Sequence, residues 1–483
     1  MKILFSHSYF LRFDPKQWKL AQPYAPLGTI YAASFLRNSG HQVALFDSMF
    51  AVSAKEVIPY LEKEKPDVFV IWDDGFNYLT KMCLTNMREA AFEMIQFAKA
   101  KGCKVLVSSS DSTDHFEKYL DKGADAVILG EGEQTLLQTI TAFEKNDTEL
   151  SKINGLAFRE SNKTIKTLKR EVMRELDLLS HPAWDLVDIE VYRKIWLEHH
   201  HYFSMNLATT RGCPFKCNWC AKPIYGNRYN SHSPQYMIEE IKLLTQQFKA
   251  DHIWFCDDIF GLKPKWVNEF ADLVQKENLK FKFKIQSRVD LLLEDNNIAD
   301  LARAGCETVW VGAESGSQKI LDAMDKGTKV EQIYEATLLL KKHKIKPAFF
   351  IQFGYLGETK EDIALTIKMM SDLLPDDIGV SVSYPLPGTL FYEKVKDDLK
   401  EKTNWKDSDE LMMMFKNTYS PEFYKQLHRY VHKNYRKKQA LEAMTKILKN
   451  PTQLNGKNIK RLLSFLYYTP ATFFENQKLK KLN

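Results

Sequence analysis

Nowhere does this chain of 483 residues run to the roughly 18 consecutive apolar residues that a bilayer-spanning helix needs. The opening residues, Met1-Lys2-Ile3-Leu4-Phe5-Ser6-His7, turn polar too soon for the apolar region of a secretory leader. Cysteine is sparse: seven residues, an odd number without regular pairing, which argues against a disulfide scaffold and for the reducing cytoplasm. Low-complexity tracts and short internal repeats are missing, and no G-x-G-x-x-G follows the first predicted strand, so there is no dinucleotide fingerprint. Acidic residues are scarce at one end only. Residues 411–483 hold 15 Lys/Arg against 3 Asp/Glu, which leaves the rest of a chain of net charge +6 mildly acidic. A basic tail suits nucleic acid, anionic lipid or an acidic substrate, or is simply a solvated helical face. No nucleic-acid motif accompanies it, so nucleic acid is not an expected partner.

What cysteine there is concentrates in one place. The stretch Arg211-Gly212-Cys213-Pro214-Phe215-Lys216-Cys217-Asn218-Trp219-Cys220 sets three thiols at i, i+4 and i+7 beside a glycine and a proline. Proline removes a backbone donor and glycine costs entropy, so the run is a loop rather than a helix interior. A loop can fold three thiolates around one inorganic centre. Three ligands are one short of the four that close a structural zinc or an ordinary cubane cluster, which leaves an open position for chemistry. The alternatives are three reduced buried thiols, or a zinc completed by a distant histidine. Zinc sites usually present a second cysteine pair, whereas Cys83, Cys103, Cys256 and Cys306 are isolated.

The length predicts about three domains. Short apolar runs (Lys2-Ile3-Leu4-Phe5, Gln42-Val43-Ala44-Leu45-Phe46-Asp47, Val68-Phe69-Val70-Ile71-Trp72, Lys104-Val105-Leu106-Val107, Ala126-Val127-Ile128-Leu129) alternate with helical patterns. That rhythm predicts an α/β fold: a Rossmann-like, doubly wound parallel sheet over residues 1–141, with ligands beyond the carboxyl ends of its strands. Residues 142–198 break the rhythm and read as a linker holding a small hairpin (Gly155-Leu156-Ala157-Phe158-Arg159 and Lys163-Thr164-Ile165-Lys166). Six further strand–helix units fill residues 199–390, fewer than the eight of a full barrel, with polar residues at one strand end after another. Residues 391–483 read as an α-helical, basic C-terminal region.

The pattern Cys-x-x-x-Cys-x-aromatic-Cys, with Trp219 as the aromatic residue, resembles the hallmark of the radical S-adenosylmethionine (SAM) superfamily. The resemblance implies a partial (β/α)6 TIM-type barrel, with Cys213, Cys217 and Cys220 on three irons of a 4Fe-4S cluster and the fourth iron taking SAM. Trp219 would then shield the cluster and contact the adenine side, or serve as core filler. Asp257 and Asp258 would stand near the methionine ammonium, or be solvated loop acids. Arg288 would pair with the methionine carboxylate or a substrate acid, its fork matching a carboxylate. Glu314 and Ser315 would approach the ribose and methionine end, while Gln352 and the segment from Gly354 to Glu358 would line the adenine and ribose. An electron from a flavodoxin- or ferredoxin-type donor would cleave SAM to methionine and a 5′-deoxyadenosyl radical.

A second resemblance covers about the first 140 residues. Pro26-Leu27-Gly28, Gly40-His41-x-Val43-x-x-x-Asp47, Gly123-Ala124-Asp125 and Gly130-Glu131-Gly132-Glu133 are similar to the cobalamin-binding domain that precedes many radical SAM barrels. It implies cobalamin contacts at Leu27, Gly28, Asp47, Ser108, Ser109, Gly130 and Glu131. The Asp-x-His-x-x-Gly motif is absent, so a cobalt without a histidine ligand is expected. Ser108-Ser109-Ser110 stands where a Gly-Gly loop is usual and would crowd a dimethylbenzimidazole tail; a vestigial domain of the same fold is the alternative. His7, His41 and His115 are polar loop or capping residues unless one of them reaches cobalt or substrate.

In the tail, the run Met412-Met413-Met414 suits gap-filling core. Leu462-Leu463-Ser464-Phe465-Leu466-Tyr467-Tyr468 either lies on a membrane surface or packs over the barrel mouth as a substrate lid. Both fit a small-molecule substrate of lipid-like or polyketide-like character, handled in the cytoplasm or peripherally at the membrane. Three readings follow: a cobalamin-dependent radical SAM methyltransferase, cyclase or oxidative enzyme; a methylthiotransferase-like radical SAM enzyme without cobalamin; and a non-catalytic nucleic-acid binder. Cys83 and Cys103 are too few for the extra cluster of the second, and the cysteine loop counts against the third.

Overall fold

The computed structural model describes residues 1–147, 149–399, 403–449 and 456–482. Five strands, β1 (Lys2–Ser6), β2 (Gln42–Phe46), β3 (Val68–Trp72), β4 (Lys104–Ser108) and β5 (Ala126–Ile128), pair in parallel in the order β2-β1-β3-β4-β5. β3 is buried at every position, as a strand covered by helices on both faces must be. The hairpin β6 (Leu156–Glu160) and β7 (Lys163–Lys166) does not stand free in a linker. It pairs antiparallel with β5 and extends the sheet to seven strands, burying Leu156, Ala157 and Phe158. The chain then crosses to the second domain through two single 3-10 turns and a helix, Ile189–His200, within the stretch whose broken rhythm predicts a linker. Trp196 anchors this helix, fully buried and donating its indole N–H to the Pro23 carbonyl at 2.8 Å.

The second sheet begins with β8 (Ser204–Leu207). A two-residue antiparallel clip, β9 (Thr210–Arg211) with β10 (Asn230–Ser231), closes the base of the cysteine loop. β11 (His252–Phe255), β12 (Lys282–Ser287), β13 (Cys306–Glu314), β14 (Lys346–Phe353) and β15 (Asp377–Val382) follow. All six strands of this sheet pair in parallel in sequential order, β8-β11-β12-β13-β14-β15, which is an open half-barrel.

The carboxyl ends of the two sheets face each other. Lys81, beyond β3, pairs with Asp258, beyond β11; Tyr384, beyond β15, donates to the Met82 carbonyl at 3.1 Å. A segment after the barrel ties the same two layers: Trp405 and Lys406 carbonyls accept from Thr85 and Asn86 N–H, and Asp14 accepts from the Ser408 hydroxyl at 2.9 Å. Met413 and Met414 are buried there, as gap-filling core residues should be. Helices Pro421–Lys449 and Gly456–Lys481 pack on one another. The first lies along β15, with Tyr435 donating to the Pro375 carbonyl at 2.7 Å. This pair is a buttress on the flank of the half-barrel and not a lid over its mouth. Residues 400–402 and 450–455 of the predicted helical tail lie outside the described residues.

Candidate active site

The cysteine loop leaves the end of β8 through Arg211 and needs glycine at once. Gly212 has φ +81°, and a Cβ there would stand 2.4 Å from the Arg228 carbonyl oxygen. Asn218 pins the middle of the loop. Its backbone N–H donates to Met324 O at 3.0 Å, its side-chain amide to Ala323 O and Asp325, and its side-chain oxygen accepts from the Tyr355 hydroxyl at 2.6 Å. Lys222 closes the far side by donating to Phe215 O at 2.7 Å. Cys213, Cys217 and Cys220 are unbonded and half-buried. Burial pushes the Cys213 thiol up and that of Cys220 up to about 12, against the pull of Lys222.

Cations ring this loop. Arg288 stacks 3.7 Å over the Phe215 ring and points Nη1 at the Cys217 sulfur, 3.8 Å away. Burial opposes a charge on Lys326 and Lys81, but the carboxylates of Glu314 and Asp258, with Cys217 and Cys220 as smaller contributors, hold both lysines charged. Among the described residues no three Cys, His, Asp or Glu side chains converge as they would on one metal ion. A 4Fe-4S cluster instead spreads three thiolates over three irons, and a ring of cations matches its negative charge. The Trp219 indole nitrogen is buried beside the loop without a hydrogen-bond partner. The residues present fit a cluster.

The remaining strand-end residues divide by what they already hold. Asp257 does not face an open site. It accepts from Thr209 N–H at 2.6 Å, the Thr209 hydroxyl at 2.7 Å and Thr210 N–H at 2.8 Å, and so fixes the turn that launches the cysteine loop. Burial pushes its carboxyl up to about 7 despite these donors. Its neighbour Asp258 points the other way, to Lys81. Arg288 is not a free carboxylate clamp either: Nε and Nη2 donate to Asp290 and Nη1 to Lys326 O at 2.8 Å. Ser315 is turned to Thr366 and the Ser317 N–H, a local capping role. Glu314, held at φ +57°, pairs with Lys326 at 2.9 Å inside the barrel. The Lys326 ammonium lies over Gly312, 2.6 Å from where a Cβ would stand. Gln352 is buried and donates to the Ser383 hydroxyl at 2.9 Å.

Glu358 turns back to accept from Gly354 N–H at 2.6 Å, while its other oxygen is buried without a partner. Burial pushes this carboxyl up to about 8 from an ordinary 4.5. The native state therefore binds a proton that the unfolded chain releases above its ordinary value. Glu358's contribution is whole below about pH 4.5 and is lost as pH rises toward about 8. Thermal unfolding followed from pH 5 to 8 should show Glu358→Gln losing less Tm than the parent across that window.

At the carboxyl ends of the first sheet, small residues predominate. Leu27 is core; Gly28 approaches Asp74 so closely that a Cβ would lie 3.2 Å from its Cα, and Asp74 accepts from the Gly28 N–H. Ser108 is buried with its carbonyl on Asp73 N–H, and Ser109 caps the short helix Ser110–Asp114. Gly130 lies 3.4 Å, measured from an added Cβ, from Ile224 O of the cysteine-loop return. A cavity of about 10 Å³, room for one water, lies at the same end of the sheet between Ser8, Asp73, Thr80, Arg88, Asp111 and Tyr119, and none of Leu27, Gly28, Ser108, Ser109 and Gly130 lines it. Small, polar strand ends of this kind suit a bulky cofactor. Two expected contacts are engaged elsewhere. Asp47 is held by His7 Nε2 at 2.8 Å and the Tyr192 hydroxyl at 2.6 Å, which outweigh burial and keep its carboxyl low. Glu131 accepts from Arg211 Nη1 at 2.5 Å, and Glu133 from Nη2 at 2.6 Å. His41 sits near the N-terminal amine, and burial lowers His115. Lys81 and Lys326, which motif reading missed, and Asn218, which it quoted without a role, act through partners distant in sequence and carry no local signature.

The profile of the Radical SAM superfamily matches residues 207–370. An uncharacterised methyltransferase of Pyrococcus horikoshii is 28% identical over 388 residues, 79% of this chain and 81% of that protein. The anaerobic magnesium-protoporphyrin IX monomethyl ester cyclase of Rubrivivax gelatinosus is 26% identical over 411 residues, 83% of this chain and 71% of its own length. Among solved structures, the cobalamin-dependent S-adenosylmethionine radical enzyme OxsB with aqua-cobalamin bound superposes with a TM-score of 0.75 at 17% identity, covering 98% of this chain and 72% of that one. The half-barrel that presents Cys213, Cys217 and Cys220 is a domain of the Radical SAM superfamily.

Proposed function

We propose that this chain is a cobalamin-dependent radical SAM enzyme that methylates an unactivated carbon of a small molecule. The observation that carries the reading is the opposition of the two sheets' carboxyl ends with the cysteine loop between them, fastened by Arg211 to Glu131 and Glu133 and by Asp258 to Lys81. When bound, the cluster supplies the electron that cleaves SAM to methionine and a 5′-deoxyadenosyl radical, and cobalamin carries the methyl group. Cys213, Cys217 and Cys220 would hold the iron, with Arg288 and Lys326 offsetting its charge on the Cys217 side. Asp258 and Glu314 are the carboxylates left near the loop for the cationic end of SAM, each now paired with a lysine. The strand ends around Gly28, Ser108 and Gly130 would hold cobalamin.

A lipid-like or polyketide-like substrate, an electron donor of flavodoxin or ferredoxin type, and a cytoplasmic location, peripheral at a membrane, complete the proposal. Among the described residues no helix is long and apolar enough to cross a membrane. A radical cyclase is the second reading, favoured by the similarity to the Rubrivivax gelatinosus enzyme. The test is anaerobic titration of the reconstituted protein with hydroxocobalamin, followed by gel filtration and then by SAM with a reductant. Co-eluting cobalamin and 5′-deoxyadenosine are expected. 5′-Deoxyadenosine without retained cobalamin would leave a radical SAM enzyme whose first domain binds something else, and the absence of both would overturn the proposal.

A further inference from the structure

The helix Gly456–Lys481 buries one side through a mostly polar contact and leaves an apolar stripe on the opposite side uncovered. Thr472, Glu475 and Leu479, at i, i+3 and i+7, are buried against the helix Pro421–Lys449, where Glu475 takes Lys433 and the Gln426 amide. The other side presents Ile459, Leu463, Leu466, Tyr467, Phe473 and Phe474, spaced i, i+4, i+7, i+8, i+14 and i+15 and therefore on one stripe. Those six are 39–74% exposed. Isolated exposed apolar residues are ordinary on a protein surface, but a continuous stripe four turns long is a contact surface.

We propose that this stripe lies on an anionic bilayer, with the helix in the plane of the headgroups. Charge selects the occupant. Residues 411–483 hold 15 Lys/Arg against 3 Asp/Glu, and one of the three acids, Glu475, is neutralised by Lys433. Lys478, Lys480 and Lys481 are exposed at the end of the stripe, placed to meet acidic headgroups. A symmetric dimer through the same face would press two such basic tails together. The helix is too polar to cross a membrane, and a Tyr beside Phe and Leu suits the interface between water and acyl chains. The assignment stands apart from the radical chemistry, because it concerns the flank of the half-barrel and is read without turnover.

Flotation of the reconstituted full-length protein with vesicles tests it, using phosphatidylcholine alone and phosphatidylcholine with about 30% phosphatidylglycerol, enough to set a negative surface potential. The parent is expected to float with the anionic vesicles at low salt and to be released at high salt. Lys478→Glu with Lys480→Glu and Lys481→Glu should weaken binding at least about tenfold, since each lysine near an acidic surface contributes about one factor of five. A Leu463→Ser, Leu466→Ser, Phe473→Ser, Phe474→Ser variant should stay with the unbound fraction while keeping the parent's Tm and iron content. A parent that ignores anionic vesicles overturns the proposal. So does a doubled mass in solution that the serine variant returns to a monomer, which would make the stripe a contact between two copies.

Discussion

Cys217→Ala is expected to lower bound iron from about four atoms per chain to well under one after anaerobic reconstitution, and 5′-deoxyadenosine formation to background. Three thiolates hold three irons, so losing one leaves an iron with neither a protein ligand nor SAM, and the cluster is not retained. Cys217 is the informative position because Arg288 addresses its sulfur at 3.8 Å while Asp290 and the Lys326 carbonyl hold that guanidinium in place. Alanine removes the sulfur and leaves this scaffold intact, so circular dichroism and Tm should stay near the parent's. A variant that kept its full iron and its visible absorption would remove Cys217 from the cluster and the radical reading with it.

Arg211→Ala should be the most destabilising single change outside the hydrophobic core, by about 3–5 kcal/mol, the usual cost of stranding buried carboxylates. Arg211 is buried, donates to two carboxylates from the first domain, and lies within 5.2–6.0 Å of the Tyr31, Phe76 and Tyr225 rings. Burial already raises the Glu131 carboxyl despite Arg211, so losing the guanidinium removes the main interaction that favours its charged form. A triple variant, Arg211→Met with Glu131→Gln and Glu133→Gln, separates the two roles of the cluster of charges. Denaturant melts should show stability largely restored, because no charge is left unpaired. SAM cleavage should remain below the parent's if the ion triad also sets where the cysteine loop sits against the first domain. Full recovery of both would reduce Arg211 to a purely structural residue.

The strands were readable because apolar runs such as Val68-Phe69-Val70-Ile71-Trp72 end abruptly in polar loops, and the loop cysteines because Gly212 and Pro214 forbid a helix around them. Pairing was harder. Leu156-Ala157-Phe158 announces a strand, but nothing local says that it adds to β5. The helix Ile189–His200 hid because only Ile189, Tyr192 and Trp196 are buried and three histidines follow on its last turn and cap. At the site, adjacent carboxylates look alike in sequence. Asp257 turns inward to two backbone N–H groups while Asp258 turns outward to a lysine from another domain. Glu131 has the composition of a ligand and the position of an anchor, because its partner lies 80 residues away. Long-range ion pairs of this kind leave no periodicity to read.

The two-residue clip of Thr210–Arg211 with Asn230–Ser231 makes the cysteine loop a ring closed at its neck. A closed ring can open and re-form while the strands on either side keep their register. A change of conformation inside the loop is thereby insulated from the half-barrel, because the clip takes up the strain before it reaches β8 or β11.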